Sequence, residues 1–97
     1  MIHAKKILPE YFEAMKAGKK LFELRRLDPD EPGFVAGDFL AVNEWKDGRF
    51  TGRCLLFRIT YLLDAAHSCD TLREGCVALG LRLMPIGTLD LQMMRRE

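Results

Sequence analysis

The chain has 97 residues, 48% of them apolar and 30% charged, the make-up of one ordinary globular domain with a modest core rather than of a disordered tail. Fifteen lysines and arginines against 14 acids leave a net charge of +1. That excludes a polybasic tail holding nucleic acid by bulk charge, but leaves room for a local basic groove. No run approaches the roughly 20 apolar residues a membrane helix needs. The opening MIHAKKILPE lacks a signal-peptide core, and Cys54, Cys69 and Cys76 form no C-x-x-C pair. The expectation is a single cytoplasmic domain over residues 1–97, with reduced thiols, no membrane contact, no metal and no cofactor.

Ile2 to Leu8, rich in branched residues, reads as a first strand. Pro9 suits the first position of a helix, Glu10 and Glu13 favour its N-terminal dipole, and Phe12 and Met15 set one apolar face. Gly18 is a left-handed stop, so the helix runs from Pro9 to about Ala17. Lys20 to Arg26 alternates, Phe22 and Leu24 facing one way and Glu23 and Arg25 the other, which predicts a half-buried strand with an ion-carrying face. Two prolines and a glycine between Asp28 and Gly33 mark an exposed loop. A strand over Asp38 to Trp45 then meets Asp47-Gly48, a strong hairpin signal, so the long apolar strand Gly52 to Leu63 pairs antiparallel with it. Asp64 to Glu74 reads as a loop with a short helix, Gly75 to Met84 as a last strand with Val77, Leu79, Leu81 and Leu83 on one face, and Thr88 to Glu97 as a short terminal helix. Strand, helix, then a run of strands is an α+β order, and a sheet this small is expected to curl into a barrel that removes its edges.

The segment from Gly18 to Arg25 gathers two cations and one carboxylate at a helix-to-strand junction, leaving residual positive charge suited to a phosphate or a polar base edge. Strict alternation puts Lys20 on the face opposite Glu23 and Arg25 unless the junction after Gly18 turns it round. A solvated strand face with a surface ion pair gives the same pattern. Trp45 ends a strand beside the hairpin, and Tyr61 can stack or donate; core packing is the alternative for both. Arg58 interrupts an apolar strand and calls for a carboxylate, with Glu23 and Glu44 as candidates. His67, Cys69, Cys76 and His3 fit no standard zinc spacing.

Gly18, Lys20, Glu23 and Arg25 form G-x-K-x-x-E-x-R, which resembles the signature of ASCH domains in the PUA-like superfamily. His3, Lys6, Ile7, Pro9, Tyr11 and Phe12 resemble the opening of a small bacterial and phage ASCH-like subfamily, and Gly37-Asp38-Phe39-Leu40, Glu44-Trp45, Thr51-Gly52-Arg53, Ile59-Thr60-Tyr61 and Gly75 to Leu79 resemble its later strands. The prolines between Asp28 and Gly33 depart from its pattern. The resemblance implies a PUA-like mixed β-barrel, a cleft beside the first helix, and RNA or a modified nucleoside as ligand. Some small ASCH proteins deacylate N4-acetylcytidine with a G-x-K-x-x-T motif; Lys20 matches their lysine, while Glu23 stands where they have threonine.

The leading expectation is therefore a small RNA- or nucleotide-binding domain whose site draws on Lys20, Glu23, Arg25, Glu44, Trp45, Arg58 and Tyr61. A second is an enzyme with Lys20 and Glu23 as its catalytic pair, either an amidohydrolase on acylated cytidine or a ribonuclease. A third is an accessory module that binds another protein, which a large exposed apolar patch would favour.

Overall fold

The computed structural model describes residues 1–85, so the terminal helix expected over Thr88 to Glu97 lies outside the described residues. The elements are β1 (Ile2–Ile7), α1 (Pro9–Lys16), β2 (Phe22–Arg26), β3 (Phe39–Lys46), β4 (Arg49–Asp64), a 3₁₀ turn (Ala65–His67) and β5 (Cys76–Leu83). The strands form one sheet in the order β1-β3-β4-β5-β2. β1 runs parallel to β3, and every other neighbour is antiparallel. This is an α+β domain with five strands curled into a half-barrel around one helix. The barrel stays open, because β1 and β2 are the two edges and do not pair with each other. The curl still brings them close: the Arg25 guanidinium on β2 donates to the Lys6 carbonyl on β1 at 2.7 Å.

The helix forms where its signals lie. Pro9 takes the first turn without wasting a donor, Glu10 sits at the positive end and Lys16 at the negative end. Phe12 and Met15, one turn apart, bury against Ile7, Leu40, Val42, Phe57, Ile59, Val77, Leu79 and Leu81 on the concave side of the sheet. Gly18, at φ 75°, ends the helix in a Schellman motif: its own N–H bonds Met15 O at 3.0 Å, and Lys19 N–H bonds Ala14 O at 2.9 Å. This reversal sends the chain back toward β2 and settles where Lys20 points.

Two irregularities on β4 set which side chains face inward. The Asp47-Gly48 turn has positive φ at both residues, 52° and 80°, the primed geometry that matches strand twist. Beyond it the β3–β4 register shifts between Asn43 and Trp45, where Gly52 adopts φ 95°. A second shift falls between Ile59 and Tyr61. The extra residue turns Tyr61 to the convex side, where it is 67% exposed, and restores Leu62 to the core side.

The sidedness of β2 is inverted relative to an amphipathic strand. Glu23 pairs in register with Leu79 and Arg25 with Val77, both core residues, so the charged pair faces the concavity and Glu23 is only 8% exposed. Phe22 and Leu24 face outward, at 49% and 57% exposure. Inward charges on an open edge strand discourage sheet-to-sheet association, provided that they are neutralised internally.

Candidate functional site

The charge pairing is local and centres on Glu23. The Lys20 ammonium donates to Glu23 Oε1 at 2.7 Å and to the Phe22 carbonyl at 2.8 Å. Arg25 Nε donates to Glu23 Oε2 at 3.0 Å while its Nη2 reaches across to β1. The Schellman reversal at Gly18 therefore does turn Lys20 toward Glu23, and two cations share one carboxylate with a residual charge of one. Each carboxylate oxygen is engaged, so Glu23 acts as the anchor that fixes both cations.

A cleft of about 370 Å³ opens over this cluster, lined by Tyr11, Lys20, Phe22, Glu23 and Leu24. Its volume falls at the low end of ligand pockets, roughly 300–1,000 Å³. The Lys20 ammonium lies 4.8 Å from the Phe22 ring centroid and 5.8 Å from that of Tyr11. One cation flanked by two half-exposed aromatic rings offers stacking surface and a donor at the same point. Tyr11 and Phe22 escape a reading based on charge: Tyr11 sits beside the buried stripe of α1, and Phe22 reads as core. The available signal is Tyr11 itself, an aromatic residue off the three-to-four spacing of Phe12 and Met15.

The remaining candidates lie elsewhere. Glu44 belongs to a second ion cluster, accepting from Thr51 Oγ1 at 2.7 Å and from Arg53 Nε at 3.0 Å. Arg53 also bonds Glu13 and lies over the Phe12 ring, and this hydrogen bond and charge hold the Glu13 carboxyl below its ordinary 4.5. Arg58 pairs with neither Glu23 nor Glu44. Phe57 and Ile59 point into the core, so residue 58 points to the convex side, where its guanidinium stacks 5.2 Å from the Phe39 ring. Trp45 is half-buried, edge-on to Phe50 at 4.8 Å and covered by the Lys6 ammonium at 4.3 Å. Tyr61 stands exposed on the convex face, in register with Gly80 and, through it, with Phe22.

A shallower depression of about 300 Å³ lies between Ala65, Ala66, Asp70, Leu72 and Glu74, and its two acids repel anions. Among the described residues no group of three histidine, cysteine or acidic side chains is placed to hold a metal ion, and no helix is long and apolar enough to cross a membrane.

The fold is shared with a solved structure, described as the crystal structure of hypothetical protein PH0355. The two align with a TM-score of 0.57 at 16% identity, over 87% of this chain and 100% of that one. An uncharacterized 12.9 kDa protein in the GpA 3'region of Escherichia phage P2 is 40% identical over 63 residues, 65% of this chain. The chain spans about half (55%) of that phage protein's length. A family model described as a domain of unknown function, DUF3850, matches residues 2–81, which contain the whole sheet but for the last two residues of β5, and the helix with its cleft; the chain belongs to that family.

Proposed function

We propose that this domain binds single-stranded RNA or a nucleotide, with one base held in the cleft beside α1. The observation that carries the reading is the Lys20 ammonium near both the Tyr11 and Phe22 rings, in a concavity with room for a base. Unpaired bases are bound by stacking on aromatic faces together with hydrogen bonds to their edges, while cations take the phosphate. The cleft supplies both within one wall. The resemblance of Gly18, Lys20, Glu23 and Arg25 to the ASCH signature of PUA-like domains supports the same ligand class. The Lys20–Glu23–Arg25 bonds favour binding over proton transfer, because both carboxylate oxygens are already occupied as acceptors.

Fluorescence anisotropy with short single-stranded RNAs at low salt tests the proposal. Removing one stacked contact costs about 1–3 kcal/mol, so Phe22→Ala and Tyr11→Ala should each weaken binding at least about fivefold. Lys20→Ala should flatten the salt dependence by about 0.7 in the log–log slope, the signature of one lost phosphate contact. Wild-type binding no tighter than that of an unrelated protein of the same charge overturns the reading.

A further inference from the structure

The cleft wall contains hydrogen-bonding groups that no side-chain inventory reveals. In an antiparallel pair, alternate residues turn their backbone groups toward the partner. Here Leu81 N–H bonds Leu21 O at 3.0 Å and Leu27 N–H bonds Gly75 O at 2.7 Å, at the two ends of the β2–β5 register. Leu21, Glu23, Arg25 and Leu27 therefore pair with β5, and Phe22, Leu24 and Arg26 direct their N–H and C=O groups to the open edge. The Phe22 carbonyl is taken by the Lys20 ammonium. Leu24 is the next residue along that edge and lines the cleft, and among the described residues no hydrogen bond reaches its N–H or C=O from a side chain.

We infer that the open edge of β2 reads the ligand: the Leu24 N–H and C=O pair with an adjacent acceptor and donor on the rim of a planar nitrogen heterocycle. The inference rests on the proposed base-binding role and adds to it a specificity element made of backbone. The N–H and C=O of one extended residue point the same way and lie close together, which suits the neighbouring ring nitrogen and exocyclic group of a base's Watson–Crick edge. A peptide adding to β2 as a further strand needs a longer run of free edge, and the Lys20 ammonium interrupts that run at Phe22. The Lys20 ammonium keeps one N–H beyond its two bonds to Phe22 O and Glu23 Oε1, and donates it to a second acceptor on the same ligand.

Two perturbations test this from opposite sides. Leu24→Pro deletes the edge N–H, and an edge strand accepts proline where that group faces solvent. Leu24→Ala trims the side chain and keeps the N–H. The RNA probes are short homopolymers of each of the four bases, and the one bound most tightly is also made with its rim nitrogen methylated. The expected result is binding about tenfold weaker for Leu24→Pro than for Leu24→Ala, and about a tenfold loss for wild type with the methylated probe. The two losses should not add, since each removes the same contact. Circular dichroism checks that the proline variant folds, and the methylated probe needs no variant at all. If wild type binds and is indifferent to rim methylation, or if folded Leu24→Pro binds as well as Leu24→Ala, the backbone readout is wrong while base binding stands. If wild type binds none of the homopolymers, both fall together.

Discussion

Replacing Glu23 with alanine strips the anchor from the cleft, and the structure sets the size of the effect. The carboxylate accepts from Lys20 at 2.7 Å and from Arg25 Nε at 3.0 Å, and Arg25 Nη2 lies 2.9 Å from Oε2 as an ion pair. The three side chains are 15%, 11% and 23% exposed for Lys20, Glu23 and Arg25, so solvent screens them far less than a surface pair. Exposed ion pairs contribute about 0–1 kcal/mol, whereas removing one partner of a buried pair costs about 3–5 kcal/mol because the other charge is stranded. Here two cations would face each other without their counter-ion, at intermediate burial. The expected loss is about 2–4 kcal/mol, a large part of the roughly 5–15 kcal/mol that holds a small domain together. It should lower the melting temperature by about 10 °C or more. Urea unfolding followed by the fluorescence of Trp45, the sole tryptophan, reads the change. Asp30→Ala, in the exposed loop, is the control and should stay within about 0.5 kcal/mol of wild type. A Glu23→Ala loss as small as the control's would mean that the cluster is a solvated surface pair, and the reasoning about an internally neutralised edge would fail.

Asn43 is fully buried on β3, in register with Lys6 and Cys54, and among the described residues neither its amide nitrogen nor its oxygen has a hydrogen-bond partner. Asn43→Leu keeps the branched side-chain skeleton and removes the unsatisfied groups, so it should raise unfolding stability by about 1–3 kcal/mol; a loss in the urea midpoint would contradict this. Asp38 is held below its ordinary 3.8, first by the hydrogen bond from His3, with the N-terminal ammonium helping and burial opposing. A carboxyl depressed in the folded state adds stability above its ordinary value and loses it as pH falls through the lowered one. Acid unfolding of His3→Ala should therefore begin at higher pH than that of wild type, and an NMR titration should show the Asp38 carboxyl moving back toward 3.8. An unchanged Asp38 titration in that variant would rule out the His3 bond as the cause.

The parts of the fold legible in the sequence are those with local causes. Pro9 and Gly18 bracket α1 because a missing N–H and a positive φ are properties of single residues, and Asp47-Gly48 marks the β3–β4 turn for the same reason. The parallel partnership of β1 with β3 has no local signature, since it depends on where the chain returns after the loop between β2 and β3. Alternation in β2 separates Phe22 and Leu24 from Glu23 and Arg25 but cannot say which pair is buried. The answer comes from Lys20, which the Schellman reversal delivers to Glu23, so that charge can go inside. The register shift after Ile59 likewise decides that Tyr61 faces out, and one extra residue is invisible to a period of two. In the candidate site the ionic members were legible as an i, i+3, i+5 set, whereas Tyr11 enters from a different element and only the packed helix brings it alongside.

The most direct test of the central claim is a residue-resolved ¹H–¹⁵N titration of the full chain with short single-stranded RNA. The account predicts that amide shifts concentrate on Tyr11 and on residues 20–26, with Leu24 among the largest, and that saturation follows the anisotropy curve. Shifts absent there, or confined to the acidic depression around Asp70 and Glu74, would contradict it.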